Sequence, residues 1–171
     1  MEIFSVKLSI KYLIIVIFLL IFTILFNFFI YTFAATEGIL EIIDHSTKKI
    51  IFSRSVVPGD NFSTLYIHSV EKTPVKEIYV IDNQYRIILS ETQVSSSGAG
   101  LPSQIFEEEQ FLLKDGKFII NNINIFLPFI PLKVGETSHN IFFFKEEIVD
   151  LSSLIGDGLV YIQVKKVENR K

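Results

Sequence analysis

Apolar residues fall along the chain in two regimes. From Tyr12 to Ala35 they run on with no charged side chain among them; after Thr36 they break into short runs in which apolar and polar positions tend to alternate. The first regime covers 24 residues. At about 1.5 Å per helical residue it reaches about 36 Å, against a hydrocarbon core about 30 Å thick. The stretch therefore predicts one membrane-spanning helix. Tyr12 at one end and Tyr31 and Phe33 at the other suit the headgroup level. Thr23 and Asn27 interrupt the run, and Asn27 either meets a partner helix or is a single amide tolerated by a strongly apolar segment.

A cleaved export peptide is the rival reading of the same stretch. Lys7 and Lys11 suit its basic leader, but the apolar run exceeds the ~7–15 residues usual for such peptides. The candidate cleavage sites, Thr32-Phe33-Ala34 and Phe33-Ala34-Ala35, are poor at their outer position. An uncleaved anchor is expected, with residues 1–11 cytoplasmic, 12–35 in the membrane and 36–171 in an extracytoplasmic domain. Orientation follows from charge: Lys7 and Lys11 precede the helix, and Glu37, Glu41 and Asp44 follow it, so the basic side stays in the cytoplasm. The expected location is the cytoplasmic membrane, single-pass, with the C-terminal domain outside.

In the second regime the period is that of strands. Gly38–Asp44, Lys49–Ser53, Asn61–Val70, Glu77–Asp82, Tyr85–Glu91, Lys117–Ile125, Ile141–Phe144 and Leu159–Lys165 are rich in β-branched and aromatic residues. Asn83-Gln84 and Asp115-Gly116 supply turns between them. In the last run Val160, Ile162 and Val164 share one face, and Tyr161, Gln163 and Lys165 the other. The expected fold is all-β, a small β-sandwich or partly open barrel preceded by one transmembrane helix. Ser103–Leu113 fits a short helix, a loop or a strand, and Asp150–Ile155 fits one helical turn. Ile123–Leu132 carries Pro128 and Pro131, which argue against a central strand; an edge segment or a packed loop fits.

The segment after Ala35 holds 136 of the 171 residues, enough for one domain with a core. Setting Lys7, Lys11 and Glu2 apart from 16 basic and 19 acidic residues leaves 14 against 18. Nothing in that balance suggests nucleic acid, which calls for clustered Lys and Arg. The chain has no cysteine, so disulfides, thiolate metal sites and a lipidated cysteine are excluded.

Two polar motifs stand out. Ile67–Glu77, IHSVEKTPVKE, ends one strand and precedes another, where a β scaffold displays side chains. On a continued strand His68 and Val70 would share a face with Tyr66, and a turn at Lys72-Thr73-Pro74 would bring Glu77 back towards His68 and Glu71. Ser95–Pro102, SSSGAGLP, has two glycines within three residues, which suggests close backbone approach or positive φ. Its backbone N–H groups suit an anion, although it lacks the GxxxxGK[ST] pattern of a phosphate loop.

Together, YIHSVEKTPVKE (Tyr66–Glu77), SSSGAGLP (Ser95–Pro102) and LKVGETSHNI (Leu132–Ile141) resemble a bacterial and archaeal family, domain-of-unknown-function family 1850, over roughly Gly38 to Val164. Members of that family are often encoded beside TAXI-type TRAP transporters, so the resemblance implies a transporter-accessory role. It carries His68, Ser69, Glu71, Thr73, Pro74 and Glu77 as the first set of ligand- or partner-binding residues. Gly98, Gly100, Leu101 and Pro102 form the second, and Gly135 and His139 match the third string.

His68 with Glu71 or Glu77 has the chemistry of an acid–base pair, with Ser69 or Ser95–Ser97 as nucleophile. The competing reading has His68 bonding to loop backbone and fixing the turn, and no catalytic residue is assigned. His68, His139, Glu71 and Glu77 offer metal donors but no HxH or HExxH spacing, so neither a metal nor another cofactor is expected. Glu107–Glu109 lacks the glycine pattern of a calcium loop. The leading function is a membrane-anchored accessory protein of a TAXI-type TRAP transporter that binds a protein or ligand. An exported small-molecule or peptide sensor is the alternative, and a hydrolase the third. The expected partners are the membrane, through Tyr12–Ala35, and the transporter's membrane or substrate-binding subunits.

Overall fold

The computed structural model describes residues 2–33, 38–95, 110–114 and 116–167, with side chains of the first helix described over 10–27. The chain divides into two compact units, Met1–Thr36 and Glu37–Lys171.

The first unit is one helix, α1 (Glu2–Phe33). It starts ten residues before Tyr12 because no glycine or proline interrupts residues 1–35. Its segment Ile10–Asn27 has mean hydropathy 2.5 and is long and apolar enough to cross a membrane. The two polar side chains turn back on their own helix. The Thr23 hydroxyl donates to the Leu20 carbonyl and Asn27 Nδ2 to the Thr23 carbonyl, both at 2.8 Å. That internal bonding is what makes such groups tolerable in lipid.

The second unit is a β-sandwich. Its strands are β1 (Gly38–Asp44), β2 (Ile50–Val56), β3 (Asn61–Ile67), β4 (Pro74–Ile81), β5 (Ile87–Val94), β6 (Gln110–Lys114), β7 (Lys117–Leu127), β8 (Ile130–Val134), β9 (Ile141–Phe144), β10 (Glu147–Asp150) and β11 (Gly158–Lys166). One short helix, α2 (Leu151–Ile155), precedes β11, and the Asp150 carboxylate caps it by accepting from the Ser153 N–H. A four-stranded sheet runs β2-β1-β11-β8 and a seven-stranded one β10-β9-β3-β4-β5-β7-β6, both antiparallel throughout. The sheets keep separate edges, so the fold is a sandwich and no barrel closes.

Alternation places the core. Leu40, Ile42, Phe52, Val160 and Ile162 from the smaller sheet pack in one cluster with Phe62, Tyr79, Ile81, Phe142 and Phe144 from the larger. Phe52 meets Phe142 edge-on across the sheets at 5.1 Å between ring centroids, and Phe62 stacks on Tyr79 at 5.0 Å. On one flank the Arg54 guanidinium grips the Glu147 carboxylate with two bonds, 2.8 and 2.6 Å, joining the edge strands β2 and β10.

The structure corrects several boundaries. The strand expected over Asn61–Val70 stops at Ile67, and His68–Glu71 is a turn, so His68 and Val70 do not continue a strand face. Of Ser103–Leu113, the part from Gln110 is strand β6 and not helix; 103–109 and the Glu107–Glu109 run lie outside the described residues. The Ile123–Leu132 stretch is shared between β7 and β8. Pro131 sits inside β8, which is an edge strand, where a missing N–H costs no ladder bond.

The registers give the sandwich two poles. Gly38, Val56, Asn61, Ile81, Ile87, Leu127, Ile130, Phe144 and Lys166 end strands at one pole. Asp44, Ile67, Pro74, Val94, Val134, Ile141, Asp150 and Gly158 do so at the other. The domain thus begins, at Gly38, at one pole, and the first and third motifs lie at the opposite one. Seven strand residues at about 3.3 Å each separate the poles by roughly 23 Å.

Candidate functional site

At the second pole a groove of about 500 Å³ opens between the end of β3 and strand β8. That size is ordinary for small-molecule sites, which run about 300–1,000 Å³. Tyr66, Ile67, His68 and Ser69 form one side and Leu132, Lys133, Val134 and Gly135 the other; Thr137, Ser138, Asn140 and Asp157 close the end.

The turn after β3 positions His68 and Ser69. The His68 N–H donates to the Thr73 carbonyl at 2.9 Å, and the Lys72 N–H to the His68 carbonyl at 3.0 Å. Lys72 takes a φ of 53° to close the loop. The imidazole belongs to the same turn: its Nδ1 accepts from the Glu71 N–H at 3.2 Å. A neutral ring so engaged carries its proton on Nε2.

The opposite wall is a second tight turn, from Gly135 to Asn140. The Ser138 hydroxyl donates to the Gly135 carbonyl at 2.9 Å and sits against Asn140 Oδ1, which also accepts from the Gly135 N–H at 3.3 Å. Ser152, from α2, accepts from the Asn140 N–H at 2.7 Å and donates to the Gly135 carbonyl at 2.9 Å. The two turns are joined where the Ile67 N–H donates to the Ser138 carbonyl at 2.7 Å. Asn140 is 1% exposed and Ser152 8%, so each of these bonds matters to the turn. A side chain at Gly135 would press on Asp157 Oδ1, 2.9 Å from an added Cβ. With no side chain at Gly135, the Asp157 carboxylate keeps its place there; a larger residue would make it swing aside.

The expected site residues divide. His68 and Ser69 line the groove. Glu71 gives its N–H to His68, and Thr73 its carbonyl. Pro74 opens β4 opposite Ile67 and lines a separate depression with Lys76 and Phe143. Glu77 lies three residues further along β4, opposite Thr64, and does not return to His68; its carboxylate accepts from the Tyr79 phenol at 2.7 Å. Gly98, Gly100, Leu101 and Pro102 lie outside the described residues, as do Ser96 and Ser97. In the third string Gly135 lines the groove, while His139 is exposed on its turn with φ 44°.

Among the described residues no carboxylate hydrogen-bonds the His68 imidazole, and no group of three or more His, Asp or Glu side chains converges. Burial and the nearby Glu77 carboxylate push the Tyr66 phenol up to about 12, and the same causes, with a hydrogen bond to Glu77, push Tyr79 higher still. Both phenols therefore stay protonated at neutral pH. Tyr66, Ser138, Asn140 and Asp157 were not singled out from sequence. Tyr66 adjoins the first motif, and Ser138 and Asn140 lie within the third string, but Asp157 has no local pattern, since only the folding of β11 beside β8 brings it there.

The fold and groove define a class: a β-sandwich domain following an N-terminal helix of membrane-spanning length, with a pocket built from two sequence motifs. The model of a family described as a domain of unknown function, DUF1850, matches residues 62–151, just over half of the chain. The chain belongs to that family. The match runs from β3 to the start of α2, so it contains both walls of the groove and leaves β1, β2 and β11 outside. No curated protein and no solved structure matches the chain.

Proposed function

We propose that the protein is a membrane-anchored, extracytoplasmic accessory protein that binds a partner or ligand through the groove beside His68. The observation supporting this is that the first and third motifs, some 65 residues apart in sequence, meet around one pocket. That pocket lies at the pole farthest from Gly38, where the chain enters the domain. In this reading α1 holds the chain in the cytoplasmic membrane, residues 1–11 stay inside and 36–171 lie outside. His68 and Ser69 face the bound molecule, and Glu71, Thr73 and Pro74 hold the turn that presents them. Glu77 keeps the strand below in place, and Gly98, Gly100, Leu101 and Pro102 belong to the same binding function.

The partner proposed is a TAXI-type TRAP transporter, through its membrane or substrate-binding subunits, as the family resemblance implies. Purification of the full chain from its own membranes is expected to bring such subunits with it. A His68→Ala, Ser69→Trp variant, which alters and fills the groove, is expected to lose most of them. Unchanged TRAP-dependent uptake after deletion of the gene would remove the transporter from this reading. A small-molecule sensor is the second reading, favoured by a pocket of a size suited to a metabolite.

A further inference from the structure

The chemistry of the groove narrows what it accepts. Its accessible apolar lining comes from Ile67 and Leu132, with the buried Val134 behind them. Around that lining the polar groups are mostly donors. Lys133 is exposed and cationic, and Tyr66 keeps its phenolic proton. His68 has its Nδ1 occupied by the Glu71 N–H, which leaves Nε2–H as its donor in the neutral ring.

Asn140 is the most informative of these residues. Its side-chain oxygen accepts from the Gly135 N–H, and the Ser138 hydroxyl lies against it. The Gly135 N–H, which can only donate, orients the amide with Oδ1 towards it, so Nδ2 is its remaining polar group. Among the described residues no hydrogen bond uses Nδ2, although Asn140 is 1% exposed and lines the groove. An amide donor left over at the wall of a groove is available to an acceptor bound there. The one carboxylate in the lining is Asp157, which lies against Gly135.

We infer that the groove binds a carboxylate carried on a short apolar body. The carboxylate would accept from Asn140 Nδ2 and pair with Lys133, while the apolar body covers Ile67 and Leu132. Charge-assisted bonds in a partly dehydrated pocket give such a group its preference over a neutral one. This inference rests on the binding role proposed for the groove and specifies its ligand. The carboxylate can come from a free small acid or from the C-terminus of an apolar peptide, and the test separates the two.

The experiment is calorimetric titration of the detergent-solubilised full chain with hexanoate, hexanamide and hexylammonium. A short apolar peptide is titrated with a free and with an amidated C-terminus. Hexanoate is expected to bind at least about tenfold more tightly than hexanamide, and hexylammonium not at all. Tighter binding of the free-ended peptide than of hexanoate would identify a peptide terminus as the source; the reverse would identify a free acid. Lys133→Glu, whose side chain is exposed on the edge strand β8, is expected to weaken the acid about tenfold, and Lys76→Glu, outside the groove, to leave it unchanged. Equal binding of hexanoate and hexanamide, or preference for hexylammonium, overturns the inference. If no acid or peptide binds but transporter subunits still co-purify in a His68-dependent way, the carboxylate assignment fails and the accessory role stands. If the acid binds and co-purification is absent, the accessory role fails and the ligand assignment stands.

Discussion

Ser152 shows how much of the groove depends on single hydrogen bonds. Its hydroxyl takes the Asn140 N–H and gives its proton to the Gly135 carbonyl, so it ties α2 to both ends of the turn. Ser152→Ala would leave the buried Asn140 N–H without its partner and remove one of the donors to the Gly135 carbonyl. Loss of about 1–3 kcal/mol of stability is expected, read from urea unfolding of the full chain by circular dichroism. Ser55→Ala, at an exposed position on β2, is the control, and coincident unfolding curves would show that the tie contributes nothing. At this scale the sequence was only partly legible. His68 stands out as a histidine in a polar string, and its turn is local. The roles of Asn140 and Ser152 depend on side-chain bonds to a helix twelve residues away, which no local pattern encodes.

The pairing of β1 with β11 carries a pH dependence. Glu41 lies on β1 beside Gln163 and Lys165 of β11, 6% exposed. Burial alone would raise its carboxyl, but hydrogen bonds from Lys165 at 2.7 Å and Gln163 at 3.0 Å, with the charge of Lys165, hold it below the ordinary value of 4.5. A carboxylate with a lowered folded-state pKa stabilises the fold above about 4.5, and that stabilisation is lost as pH falls through its folded value. The melting temperature of the wild-type chain is therefore expected to drop more between pH 5 and pH 3 than that of Glu41→Gln. Parallel profiles would rule the pair out as a source of acid sensitivity. Among the elements, β1 and β9 are readable to the residue, because runs rich in Ile, Leu and Phe are bounded by turn formers. Strand β6, QFLLK, and strand β10, EIVD, have no clear alternation. They exist because the larger sheet offers each an edge to pair with, and pairing is a tertiary property.

For the whole molecule the decisive question is on which side of the membrane the groove lies. The chain has no cysteine, so Ser69→Cys, at an exposed position on the groove wall, introduces a single reporter. A membrane-impermeant maleimide is expected to label it in intact cells, and the labelled chain is expected to stay in the membrane after alkaline carbonate washing. Labelling only after cell lysis would reverse the proposed orientation. Release of the chain by the wash would point to a cleaved export peptide. The sequence by itself determined the two-unit plan, since an uninterrupted apolar run and a period-two pattern need nothing beyond their neighbours to be read. It also determined the β class and the three strings that mark the family. Tertiary structure alone decided that two of those strings share a groove, that Glu77 turns to Tyr79 rather than to His68, and that Asp157 joins them. The reason is physical: strand periodicity says which face a residue takes, whereas register and sheet packing, set by the whole core, say which distant residue it meets.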